Sequence, residues 1–165
     1  MLWTAYKTTA KTAVKGKFIQ LNINTPVQSD TKQGSLSGLD FEIPITSFFS
    51  SNEERDSKIK NLFFGIMKET SLISGSFSDV KGNDQSGSVN LNLKMNNEVV
   101  TVPLSYTIED LKISLEGNIN LMDWKMEDAF ASLHKACETL HTGTDGISKT
   151  WEDVKINAVA MLKNK

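Results

Sequence analysis

Residues 88–106 read SVNLNLKMNNEVVTVPLSY, two alternating runs about a polar centre. Val89, Leu91, Leu93 and Met95 share one face of the first run, against Asn90, Asn92 and Lys94. Val100, Val102, Leu104 and Tyr106 repeat the pattern in the second. Successive side chains of a strand point to opposite faces, so this period of two marks half-buried antiparallel strands. Asn96-Asn97 lies between the runs, and asparagine tolerates the positive φ of a tight hairpin turn. The stretch reads as a β-hairpin with one oily and one wet face.

Working outward, LKISLEGNINL (111–121) continues the alternation with Leu111, Ile113, Leu115, Ile119 and Leu121. Weaker strand signals cover 3–10, 13–24, 35–45, 71–79 and 152–163. Gly16, Gly38, Gly75 and Gly117 fall inside these patterns, where glycine marks bulges and sharp bends. About eight strands result, a number that closes a small antiparallel barrel. Two segments break the pattern. In SNEERDSKIKNLFF (51–64), Ser51 and Glu54 are spaced as a capping box, and Ile59, Leu62 and Phe63 recur at helical intervals. In DWKMEDAFASLHKACETLHTG (123–143), Glu127 and Asp128 suit a helix N-terminus and Gly143 a C-terminal cap. No linker, repeat or low-complexity tract divides the chain, so residues 1–165 read as one mainly β domain.

The bulk numbers exclude several functions. Hydrophobic residues at 39% and charged residues at 23% describe a globular protein rather than a disordered one. The net charge is −2 with a single arginine, Arg55, and no basic stripe, which argues against nucleic acid. No apolar run reaches the ~20 residues of a membrane helix, and the chain opens without the charged and apolar regions of a signal peptide. One cysteine permits no internal disulfide, and composition leaves a homodimer open.

Reactive side chains concentrate in LHKACETLH (133–141), which holds His134, Cys137 and His141. On a helix, Met126, Phe130, Leu133, Cys137 and Leu140 form one apolar stripe, with both histidines at its margin. Three donors at i, i+3 and i+7 span about 10 Å along the axis, too far for one zinc with bonds of ~2.0–2.3 Å. A reactive thiol wants an electropositive, partly exposed setting, whereas a buried cysteine behaves as a small hydrophobe. Helix packing is therefore expected, with no catalytic residue and no metal. A metal- or thiol-dependent enzyme built on those three residues is the alternative. Glu53-Glu54-Arg55-Asp56 reads as a solvated first helical turn, and GNDQSGS (82–88) as a loop.

Apolar bulk stands out instead. Phe48-Phe49 precede the first helix, and Phe63, Phe64, Ile66 and Met67 follow it. These residues suit either a plug closing one barrel end or the wall of a lipid pocket. A barrel with a filled interior, acting only through protein contacts, is a further alternative.

The chain resembles the YceI-like family, lipocalin-like barrels also described as polyisoprenoid-binding proteins. The resemblance rests on WTAYKTTAKTAVKGKF with Val14-x-Gly16-x-Phe18, on FEIPITSFFSSNEERDSKIKNLFF with Arg55-Asp56-x-Lys58-Ile59 and Phe63-Phe64, and on LHTGTDGISKTWEDVKI. It implies an eight-stranded antiparallel lipocalin-like barrel with two helical segments around an apolar tunnel. It also implies a non-catalytic protein that binds, transports or sequesters a long-chain isoprenoid or other amphiphilic lipid, without cofactor, in the periplasm or outside the cell. Phe49, Phe63 and Phe64 match family tunnel or entrance positions, and Phe18 matches the family's phenylalanine after the early glycine. Lys7-Thr8 stand where many relatives carry His-Ser, and Lys58 where many carry histidine. With the inward faces of the strands, the expected lining is Phe18, Phe41, Phe49, Phe63, Phe64, Met67, Phe77, Leu91, Leu93, Met95, Val102, Leu104, Tyr106, Ile113 and Leu115.

Overall fold

The computed structural model describes residues 1–69 and 71–162. Ten strands form one antiparallel sheet among these residues. In chain order they are β1 (Leu2–Lys7), β2 (Thr12–Phe18), β3 (Asn22–Thr25), β4 (Asp40–Pro44) and β5 (Phe48–Phe49), then β6 (Leu72–Gly82), β7 (Ser86–Met95), β8 (Glu98–Glu109), β9 (Lys112–Asn120) and β10 (Asp153–Met161). Helix α1 (Glu53–Leu62) follows β5, and α2 (Glu127–His141) connects β9 to β10. The sheet order runs β3-β4-β6-β7-β8-β9-β10-β1-β2-β5.

The two ends of that order meet. Strand β2 leads into β3 through residues 19–21, and β4 leads into β5 through residues 45–47. Lys17 and Phe18 pair with Phe49 and Phe48, while Asn22 and Ile23 pair with Glu42 and Phe41. Between the two pairings the Ile19 N–H donates to the Ser47 carbonyl at 3.0 Å. The ten strands thus make eight runs that curl into a barrel, two of them broken at a bend.

The hairpin of residues 86–109 has the register its alternation demands: Leu91 lies opposite Val102, and Val89 opposite Leu104. Asn96 and Asn97 take φ of 49° and 60°, the left-handed pair that gives a two-residue turn the twist of its strands. Asn96 also ties neighbouring loops together. Its amide donates to the carbonyls of Trp124 (2.8 Å) and Lys125 (2.9 Å), and its oxygen accepts from the Lys68 N–H (2.8 Å).

Several boundaries differ from expectation. The run expected at 13–24 breaks after Phe18, and that at 35–45 begins as a 3-10 turn (Gln33–Leu36) before β4. The first strand stops at Lys7, because Thr8 and Lys11 adopt positive φ in the following turn. The last strand ends at Met161, and residue 163 of its expected run lies outside the described residues. The cap of α1 is Asn52, whose oxygen accepts the Arg55 N–H at 2.8 Å, so Ser51 and Glu54 form no capping box. Gly143 does not cap α2 either; Thr142 follows the helix in extended conformation and its hydroxyl donates to the Glu138 carbonyl at 2.8 Å. Glu127 and Asp128 occupy the first turn of α2, as the helix dipole favours.

Arg55 and Asp56 act together on the bend before α1. The Asp56 carboxylate, only 9% exposed, accepts from the Ser50 N–H at 3.0 and 3.1 Å and from its hydroxyl. Arg55 Nε donates to Ser50 Oγ and its Nη2 to the Ser50 carbonyl, both at 2.7 Å. This clamp holds Ser51 at φ 61° and aims α1 across the barrel end.

Candidate functional site

Under the two helices the barrel is hollow. A cavity of about 390 Å³ lies there, within the range of small-molecule pockets. Trp3, Phe18, Phe48, Phe63 and Phe64 supply its aromatic wall. Trp3 stacks on Phe48 with centroids 4.9 Å apart, and Phe64 meets Phe18, Phe48 and Phe63 edge-on at 6.2, 5.9 and 5.2 Å. Ile73, Leu93 and Met95 enter from the sheet, whose alternation points them inward. Phe130, Leu133, Cys137 and Leu140 descend from α2, so part of its apolar stripe faces a void instead of close packing.

A second cavity, about 210 Å³, lies further along the barrel, lined by Phe41, Phe77, Leu91, Leu104 and Leu115 among others. The expected lining residues therefore divide. Phe18, Phe63, Phe64, Leu93 and Met95 reach the larger cavity, and those five named for the second reach the smaller. Met67, Val102, Tyr106 and Ile113 are buried but line neither, because that part of the interior is filled. Phe49 is a correction. It is 41% exposed, since adjacent residues of β5 face opposite ways and Phe48 takes the inward position. Lys17 Nζ sits 5.7 Å from its ring instead. Sequence reasoning missed Trp3, Ala5, Val14, Ile73, Val154 and Ile156. Period two in the weaker strands was the available signal.

One edge of the larger cavity is polar, formed by Lys7, Arg55, Lys58, His141 and Thr150 among others. Lys58 pairs with Glu54 at 2.7 Å, and Lys7 donates to the Leu140 carbonyl at 3.1 Å. The Thr150 hydroxyl lies 2.8 Å from His134 Nδ1 and 2.6 Å from His141 Nδ1. Both histidines thus meet a side chain beyond the helix. Burial holds the Cys137 thiol above its ordinary range, while Lys58 and Lys7 pull the other way. Among the described residues no group of three or more histidine, cysteine or acidic side chains could hold a metal ion.

Burial, with the charges of Lys7 and His134, lowers the His141 pKa to about 4 from an ordinary 6.5. The unfolded chain therefore takes up a proton below pH 6.5 that the folded chain refuses until about pH 4. The contribution is fully present above pH 6.5 and is lost as pH falls through that window. His141→Gln should flatten this part of the stability–pH curve. Urea unfolding of both proteins between pH 4 and 7.5 measures it, and parallel curves would exclude His141 as the source.

A family model for the YceI-like domain matches residues 2–160, nearly the whole chain. The chain belongs to the YceI-like family. Solved structures of other proteins share the architecture. A polyisoprenoid binding domain from Saccharophagus degradans, described as implicated in plant cell wall breakdown, is 14% identical, with a TM-score of 0.66 over 96% of this chain and 90% of that one. The Campylobacter jejuni YceI protein is 21% identical, with a TM-score of 0.64 over 92% and 86%. Burkholderia cenocepacia BcnA is 15% identical, with a TM-score of 0.63 over 97% and 96%. At these identities the likeness establishes the fold. Comparison with curated proteins gives no match. No helix among the described residues of this YceI-like chain is long and apolar enough to cross a membrane.

Proposed function

We propose that this YceI-like domain binds a long-chain isoprenoid or other amphiphilic lipid without chemical change, and carries or sequesters it. The observation that carries the reading is the larger cavity, walled by aromatic, aliphatic and methionine side chains and polar along one edge only. An apolar tail excludes water from that wall, gaining about 25 cal/mol for each Å² covered. The polar edge meets a head group. The name of the Saccharophagus degradans relative supports the isoprenoid class. Family resemblance supports export to the periplasm or beyond.

Ala5→Trp tests the reading. Ala5 is a small residue of β1 lining the cavity, so an indole there enters existing space. The stability change should stay below the ~1–3 kcal/mol of true overpacking. Organic extraction and native mass spectrometry of the purified protein should show lipid occupancy reduced at least tenfold. A folded variant retaining the same lipid at the same occupancy defeats the proposal.

A further inference from the structure

The two cavities are stacked along one lumen. On β7, Leu93 lines the larger and Leu91, the next inward position, the smaller. On β9, Ile119 lines the larger and Leu115 the smaller, with Gly117 between them. On β6, Ile73 and Phe77 line the larger and smaller in turn, with Gly75 between. Both glycines are inward positions without a side chain, and neighbours occupy the space. A Cβ on Gly117 would lie 2.3 Å from a Leu104 methyl, and one on Gly75 2.6 Å from the Phe41 ring. Ile156 pairs with Gly117 across the ladder and is 5% exposed. Among the described residues, only Met1 and Ile156 touch both cavities.

We propose that Ile156, with Phe41 and Leu104 leaning over the two glycines, forms a partition that sets the length of tail the lumen accepts. The inference rests on the lipid-binding reading above and adds the class of tail. The larger chamber has room for roughly 13 methylene-sized groups, taking ~30 Å³ for each as for liquid water. The smaller adds roughly 7 on the same basis. A chain of about three isoprene units fills the first chamber, and the next unit meets Ile156. Trimming Ile156 joins the chambers and admits the longer tail.

The experiment titrates geraniol, farnesol and geranylgeraniol into the wild type, Ile156→Ala and the milder Ile156→Val. In the wild type, affinity rises from geraniol to farnesol and changes less than twofold on reaching geranylgeraniol. In Ile156→Ala, geranylgeraniol binds at least tenfold tighter than farnesol, and adding Leu91→Trp, which fills the second chamber, removes that gain. Ile156→Val shows a smaller step in the same direction and serves where the alanine variant does not fold. An unchanged length profile in a folded variant overturns the partition, as does a wild type that already gains tenfold at geranylgeraniol. In both cases lipid binding itself survives. If no prenyl alcohol binds any of the proteins, the functional reading fails and the partition with it.

Discussion

Trp124→Ala should lower stability by about 3–5 kcal/mol, the usual cost of deleting a fully buried aromatic side chain. Trp124 is 0% exposed, and its indole N–H donates to the Leu93 carbonyl at 2.9 Å. Its own carbonyl accepts from Asn96. The residue therefore joins the turn before α2 to the β7–β8 hairpin, by shape on one side and by two hydrogen bonds on the other. Alanine leaves a void that surrounding strands cannot close without breaking register, and removes the indole hydrogen bond to the Leu93 carbonyl. For a domain with a typical reserve of about 5–15 kcal/mol, the variant is close to the folding threshold. In a chain of this size the same loss moves the melting temperature down by about 6–20 °C. Urea unfolding should show a lower midpoint at unchanged slope. A loss below ~1 kcal/mol would mean that the site collapses freely, contrary to the packing described.

Gly16→Val should be of similar severity for the opposite reason. A Cβ at position 16 would stand 2.1 Å from Trp3 Cζ2 and 2.8 Å from the Phe49 carbonyl oxygen. One neighbour is backbone and cannot yield; the other is an indole stacked on Phe48 and 7% exposed. Overpacking ordinarily costs about 1–3 kcal/mol, and a branched side chain with no free direction belongs at or above the top of that range. Displacing Trp3 also pushes its ring into the larger cavity, which it lines. The variant should therefore lose both stability and lipid occupancy, read by unfolding and by extraction of the same sample. Loss of stability with full occupancy would show that Trp3 moves elsewhere.

Gly16 shows where sequence reading succeeds and where it stops. Its place between Val14 and Phe18 suggested a bulge or sharp bend, but the β1–β2 register runs unbroken through it, and what requires glycine there is the indole that covers it. The long hairpin was legible because Val89 to Tyr106 alternate over a surface with one dry face, and a one-residue slip would expose every one of them. Phe48-Phe49 misled because a doubled aromatic carries no sign of which ring turns inward; the pairing with Lys17 and Phe18 decides that. The stripe of α2 was legible as apolar, but a stripe facing packed side chains and one facing a hollow have the same composition. Thr150 was invisible as a partner of His134 and His141, because it approaches from the segment before β10 rather than along the helix.

That shared hydroxyl constrains the protons of two rings at once. A threonine has one hydrogen to give, so it can donate to at most one of the two Nδ1 atoms it meets. Wherever both rings are neutral, at least one imidazole must carry its proton on Nδ1 and hold Nε2 as a bare lone pair. Of the two rings His141 lines the cavity, and with its proton on Nδ1 its Nε2 gives the polar edge an acceptor that no protonated lysine or arginine nearby can provide. Nitrogen-15 chemical shifts at neutral pH identify the tautomer of each ring, and Thr150→Val removes the constraint. In that tautomer an apolar cavity edged by ammonium and guanidinium groups is also equipped to receive a donor, such as the hydroxyl of a neutral alcohol.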